Sequence, residues 1–233
     1  MKIVLNDLYD YEKMKIYQAD EAFKFSLDSI LLAEFVKLKE NDIVVDFCTG
    51  NAVIPLILST KYQNKIWGIE LQDIIFSLAV KSVSYNKKDK QIKLINDNIA
   101  NCLNYFKPES VDVLTCNPPY FKVNEKSYLN EEKIKAIARH ELEIDLLTLI
   151  KNAKSILKNN GYFYLVHRSE RLEEIISLLN QNNFKIKELV MIYSKHNNPS
   201  NLCLIKALKN GKSGLKILNP IYVNEYTTFQ NIF

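Results

Sequence analysis

From residue 43 onward the sequence alternates between two periodicities, and this restricts the fold more than any other feature. Short runs rich in β-branched and aromatic residues occupy 43–47 (IVVDF), 65–70 (KIWGIE), 91–95, 111–116 (VDVLTC), 161–167 (GYFYLVH), 185–193 and 201–208. Between them lie segments with helical spacing, such as Ile74, Ile75, Leu78, Ala79 and Val83 within 73–86, and further helices over 51–60, 99–106, 144–157 and 170–180. Strand–helix–strand succession predicts βαβ units: an α/β fold with a mostly parallel seven-stranded sheet and helices on both faces. The last two strands follow each other closely, which suits a C-terminal antiparallel hairpin. A chain of 233 residues fits one domain over 41–233 preceded by a segment of 1–40. A polar insertion at 118–143 follows the fourth strand, on the side where open α/β sheets bind ligands.

Composition narrows the function classes. Gly contributes only 5 residues, and the 31 basic residues comprise 28 Lys and 3 Arg. Codon bias in an AT-rich genome produces this pattern, so bulk lysine carries no mechanism. Arg139, Arg168 and Arg171, retained against that bias, are separate questions. No apolar run approaches the ~18 residues of a membrane span. The N-terminus lacks a signal-peptide core, so a cytoplasmic location is expected. Cys48, Cys102, Cys116 and Cys203 show no metal-ligand spacing and are expected to be reduced and mostly buried. Residues 1–150 carry 19 basic and 22 acidic side chains, whereas 151–233 carry 12 and 5. The basic C-terminal third is either a nucleic-acid-facing surface or a set of solvated lysines.

Four motifs follow four strands. Asp46-Phe47-Cys48-Thr49-Gly50-Asn51-Ala52 leaves the first strand, with Gly50 permitting a tight turn and close approach to a ligand. An ordinary strand-to-helix turn would look similar. Glu70 ends the second strand, where a carboxylate can accept both hydroxyls of a ribose; Leu71 adjoins it. Asn96-Asp97-Asn98 follows the third strand, where Asp97 can accept from an adenine amine and Asn98 can equally cap the next helix. Asn117-Pro118-Pro119-Tyr120 follows the fourth. It resembles the catalytic loop of methyltransferases acting on an exocyclic or amide nitrogen, which implies as substrate an amine that conjugation to a ring makes a poor nucleophile. On that resemblance the Asn117 side-chain oxygen and the Pro118 carbonyl would accept hydrogen bonds from its two N–H groups and aim its lone pair at an electrophile. The prolines stiffen the loop, and Tyr120 offers a face for a flipped base.

The glycine loop resembles the nucleoside-binding loop of class I S-adenosylmethionine methyltransferases, with Cys48 and Ala52 at two customary glycine positions. Asn117–Tyr120 resembles the catalytic tetrapeptide of nitrogen-directed methyltransferases. With residues 25–33 (FSLDSILLA), 138–141 (ARHE) and 166–168 (VHR), the order of motifs resembles the bacterial valine-tRNA adenine-N6 methyltransferase family over nearly the whole chain. The resemblance implies a Rossmann-like fold and methyl transfer from S-adenosylmethionine to N6 of adenine 37 in the anticodon loop, with no metal and no obligate protein partner. It implies a cofactor site of Phe25, Asp28, Asp46, Cys48, Gly50, Asn51, Glu70, Leu71, Asp97, Asn98 and Asn117, with the N-terminal segment 1–40 folding over it. Asp28 either contacts the methionine end or caps a helix over 29–36. RNA contacts are expected from Tyr120, Phe121, Arg139, His140, His167 and Arg168, although Arg139 can instead pair with Glu141 or Glu143, and Arg171 with Glu174. An alternative is a protein glutamine-amide N5-methyltransferase of the release-factor type; its larger N-terminal helical domain has no counterpart in the short segment 1–40.

Overall fold

The computed structural model describes residues 2–8, 11, 14–19, 27–120 and 145–233. In chain order the elements are β1 (Ile3–Asp7), β2 (Lys15–Ala19), α1 (Leu27–Phe35), β3 (Val44–Phe47), α2 (Val53–Lys61), β4 (Ile66–Glu70), α3 (Asp73–Tyr85) and β5 (Ile92–Asn96). There follow β6 (Val111–Cys116), α4 (Leu146–Ile156), β7 (Leu157–Arg168), α5 (Leu172–Gln181), β8 (Phe184–Tyr193), β9 (Leu202–Lys209), β10 (Lys216–Ile217) and β11 (Ile221–Tyr222). The main sheet runs β10-β8-β9-β7-β6-β3-β4-β5, with β11 beside β8. Strands β5, β4, β3, β6 and β7 are parallel, and β9 is antiparallel to both β7 and β8.

The expected parallel sheet and terminal hairpin are therefore present, with β9 inserted between β7 and β8. Nine strands replace seven because two-residue strands β10 and β11 extend the edge. The helix expected over 99–106 is a 3-10 segment, Ile99–Asn104, whose IANCLN sequence holds two Asn and a Cys, weak helix formers. Strand β7 starts at Leu157, earlier than expected, because a bulge lets residues before Gly161 pair with β6.

Strands buried on both sides read as continuous apolar runs because alternate residues feed two cores. Val44, Val113, Tyr164, Val166 and Leu204 pack with α1, α2 and α3 on one face. Val45, Leu114, Phe163, Leu165 and Ile205 pack with α4, α5 and the 3-10 segment on the other. The β1–β2 hairpin lies against α3, where the Tyr17 amide donates to Ser82 Oγ at 2.9 Å. Buried Glu34 on α1 accepts from the Tyr11 phenol, the Lys61 ammonium and, at 2.9 Å, the Asn231 amide. One carboxylate thus ties the N-terminal segment, α2 and the C-terminal tail together.

The end of β3 is held by a second buried carboxylate. Asp46 accepts from Thr49 Oγ1 at 2.6 Å and from Thr115 Oγ1 of β6 at 2.6 Å. Gly68 on β4 makes room for this arrangement, since a Cβ there would lie 2.8 Å from Thr49 Oγ1. Burial pushes the Asp46 pKa up to about 7 from 3.8, against the two hydroxyl donors, which pull it down. Between those values the folded state holds a proton that the unfolded chain has released, so stability falls as pH rises towards about 7. Asp46→Asn abolishes that titration. Its stability relative to the wild type is expected to improve by roughly 2–4 kcal/mol between pH 4 and pH 8. Urea unfolding at the two pH values measures this, and a pH-independent difference would remove the buried proton.

Candidate active site

Strand β3 pairs with β4 on one side and β6 on the other, so the sheet order reverses there, and open α/β sheets bind ligands at such a crevice. Phe47 is in register with Cys116, so the glycine loop and the Asn117 tetrapeptide leave the sheet side by side.

The loop after β3 places alternate residues in the left-handed region: Cys48 at φ 55°, Gly50 at 57° and Ala52 at 67°. Cys48 and Ala52 adopt this backbone with a Cβ, at a cost of about 1 kcal/mol each. Backbone geometry alone therefore does not demand glycine at position 50. Apart from Gly50 itself and its two chain neighbours, no heavy atom of the described residues lies within 4 Å of a Cβ built on Gly50, so the missing side chain leaves room beside the loop. Glu70 adjoins that room: Oε2 accepts from the Gly50 amide at 2.9 Å and Oε1 from the Gln72 amide at 3.0 Å. Asn51 donates to the Tyr17 carbonyl at 2.5 Å and so docks β2 on the loop.

Asp97 lies beyond β5, accepting from Tyr105 Oη at 2.7 Å, Asn101 Nδ2 at 2.8 Å and the Asn98 amide at 2.7 Å. These donors, Tyr105 foremost, hold its carboxyl below the usual range. Asn98 caps the 3-10 segment by accepting from the Ala100 amide at 2.8 Å. Leu71 is partly exposed, and its carbonyl accepts from Asn96 Nδ2 at 3.2 Å.

The Asn117 amide has a defined orientation. Its Nδ2 donates to Ser29 Oγ of α1 at 2.9 Å, while its Oδ1 accepts from Tyr120 Oη at 2.5 Å. Ser29 therefore turns the carbonyl oxygen away from α1 and towards Tyr120. Pro118 is buried and Pro119 exposed. Burial, and after it the nearby Asp28 carboxylate, push the Tyr120 phenol well up, so the phenol keeps its proton. Asp28 sits within α1 and does not precede it, so of its two expected roles the helix cap does not hold.

His167 is also a correction. It is 1% exposed, burial lowers its pKa to about 4, and its Nδ1 accepts from the Arg168 amide at 2.9 Å. A neutral, enclosed imidazole offers no charge to RNA. Instead its ring backs that of Tyr120, with centroids 5.1 Å apart. Arg168 is exposed at the end of β7, and Arg171 is held by Glu174 at 2.9 Å. Phe25, Phe121, Arg139 and His140 lie outside the described residues. Ser29, Thr49 and Thr115 were missed by sequence reasoning; Ser29 lies in the FSLDSILLA segment but has nothing in its own spacing to mark its partner.

No helix among the described residues is long and apolar enough to cross a membrane, and none of the four cysteines forms a disulfide. The structure is similar to that of Atu636 of Agrobacterium tumefaciens, described as a predicted O-methyltransferase, with TM-score 0.67 at 16% identity over 84% of this chain and 86% of that one. It is also similar to TYW2 of P. horikoshii in complex with MeSAdo, with TM-score 0.61 at 12% identity over 90% and 72% of the two chains. In sequence it resembles the tRNA1(Val) (adenine(37)-N6)-methyltransferase of Pedobacter heparinus, 22% identical over 84% of this chain and 81% of the relative. The enzyme of the same name from Aliivibrio salmonicida is 23% identical over 72% and 69%. The family model for the methyltransferase small domain matches residues 23–190, spanning the glycine loop, Glu70, Asp97 and the Asn117 tetrapeptide. The chain belongs to the methyltransferase small domain family.

Proposed function

We propose that this chain transfers a methyl group from S-adenosylmethionine to N6 of an adenine in tRNA, the target being adenine 37 in the anticodon loop of valine tRNA. The orientation of the Asn117 amide carries the reading. Pinned by Ser29, it presents a carbonyl acceptor at the carboxyl edge of the sheet, beside the glycine loop. The names of the sequence relatives support the choice of tRNA and of adenine 37.

The room beside Gly50 supports a fit for the cofactor. Glu70 would hold the ribose, Asp97 and Asn98 the adenine, and Cys48, Gly50, Asn51 and Asp28 the methionine end, with Phe25 and Leu71 lining the site. Asp46 acts from beneath by fixing the loop. The Tyr17–Asn51 contact, which docks β2 on the loop, supports the reading that the N-terminal segment folds over the site. When bound, S-adenosylmethionine supplies an electrophilic methyl group.

The chain's own residues prepare the nucleophile. Asn117 Oδ1 and the Pro118 carbonyl accept hydrogen bonds from the two amine N–H groups of the flipped base and direct the nitrogen lone pair outward; the proton that the nitrogen gives up on methylation leaves to water. The Tyr120 O–H occupies the Asn117 acceptor. The target amine displaces it, and the ring, backed by His167, stacks on the base.

Incubation of unmodified tRNA with labelled S-adenosylmethionine, followed by nucleoside mass spectrometry and mapping, tests the assignment. N6-methyladenosine at one position of one tRNA is expected; label on a protein glutamine would replace the reading with the amide alternative. Asn117→Ala should leave cofactor affinity within about twofold and lower methyl transfer by about 10²–10³, the size of losing one preorganised polar contact. Residual transfer within a few-fold would end its catalytic assignment. Tyr120→Phe should keep the base stack and open the Asn117 acceptor, so its tRNA KM stays at or below that of the wild type. Tyr120→Ala should raise that KM about tenfold. Gly50→Ala should cost only about 1 kcal/mol of stability, because its neighbours already tolerate the same backbone. Calorimetry should show cofactor affinity falling at least tenfold; an unchanged value would place the cofactor elsewhere.

A further inference from the structure

The carboxyl edge of the sheet carries a second group of side chains that methyl transfer does not use. Strands β8 and β11 run in the same direction as β6 and β7, so Tyr193 and Tyr222 emerge on the edge that holds Asn117 and Tyr120. These two tyrosines are register partners, and their rings stack with centroids 5.2 Å apart and planes 28° apart. His196, in the turn after β8, lies on the Tyr222 ring at 3.7 Å and 22°. Its Nε2 meets Glu225 Oε1 at 2.5 Å, which fixes the plane of the imidazole. The outermost ring of this three-ring pile, His196, is 57% exposed.

The pile is fixed relative to the catalytic loop. After β7, Ser169 donates through its amide to the Asn201 carbonyl at 3.2 Å and through its hydroxyl to the Ser200 carbonyl. Asn201 in turn donates to the Ile192 carbonyl of β8 at 2.9 Å, and Asn224 to the Ser194 carbonyl at 3.2 Å. Three to four strand spacings separate β6 from the pile, roughly 14–19 Å. That is the reach of a few nucleotides of a single-stranded loop.

We infer that the Tyr193–Tyr222–His196 pile is a nucleobase platform, on whose outer face an unpaired RNA base near the target adenine stacks. The inference rests on the RNA reading given above. Glu225, 48% exposed beside the imidazole, disfavours a site built for an anion. A flat ring face suits a base of any identity. Lys195, adjacent and exposed, can face the phosphate that follows.

Steady-state kinetics with tRNA for the wild type, His196→Ala, His196→Phe and Glu225→Gln tests the platform. His196→Ala is expected to raise the tRNA KM about tenfold, with cofactor affinity unchanged by calorimetry. His196→Phe, which keeps a ring, should restore the KM to within about twofold. If His196→Phe and Glu225→Gln both behave like His196→Ala, the His196–Glu225 contact and not the ring face matters, and the platform is wrong. A KM for His196→Ala within twofold of the wild type also overturns it. Should the wild type methylate no tRNA at all, the functional reading fails instead. The platform is then tested with a short single-stranded oligoribonucleotide containing 2-aminopurine. Quenching by the wild type that His196→Ala loses supports stacking, and equal or absent quenching overturns it.

Discussion

The site depends on one buried contact set: Asp46 between the hydroxyls of Thr49 and Thr115. Thr49 belongs to the glycine loop and Thr115 to the strand that ends in Asn117. A single carboxylate therefore fixes the exit of β3 relative to the exit of β6. The Phe47–Cys116 register places the two loops side by side, and Asp46 keeps them there. Taking this carboxylate out of water is costly, as its raised pKa records, and the two short hydroxyl bonds offset only part of the cost. Such a group persists where position matters more than stability.

The scarcity of glycine shows in the turns of the fold. Among the described residues, six of the ten non-glycine residues with positive φ are asparagine: Asn41, Asn160, Asn183, Asn197, Asn210 and Asn231. Asparagine is the residue that best replaces glycine in the left-handed region, so most turns accept the substitution cheaply. The glycine loop after β3 does not follow this pattern. Cys48 and Ala52 take the left-handed backbone with small side chains, and Gly50 alone stays bare where a Cβ would enter the open room. Neither the backbone nor the protein's own packing demands glycine there; on the proposed function it is the bound cofactor that would need the room.

Much of this was readable from periodicity. The alternating runs identified every long strand of the sheet, because strands buried on both faces are apolar throughout and end at polar loops. Asn117–Tyr120 was readable because its residue types answer one chemical need. What escaped was set by distant pairing. Ser29 orients Asn117 across 88 residues, and Thr115 meets Asp46 across 69. Neither hydroxyl differs locally from any other on a helix or strand. His167 was misread for the same reason. Its position at a strand end suggests exposure, whereas packing against Tyr120 encloses it and removes its charge.

The charge asymmetry of the sequence also acquires a different meaning. Residues 151–233 hold 12 basic and 5 acidic side chains, which invites the picture of a cationic RNA surface. Several of those cations are occupied within the fold: Lys158 with Asp112 at 2.7 Å, Lys206 with Glu188 at 3.0 Å, Lys209 with Glu109 at 3.0 Å and Arg171 with Glu174 at 2.9 Å. Two of the acidic partners, Asp112 and Glu109, come from the acidic part of the chain that precedes α4, so the excess of one part neutralises the other across the sheet. What distinguishes the carboxyl edge is its ring faces: Tyr120 backed by neutral His167 at one place, and His196 on Tyr222 at another. An enzyme that must extract one base from a loop gains more from such faces than from diffuse charge. Charge attracts every phosphate equally, whereas a ring face that stacks on a base fixes the position of that base.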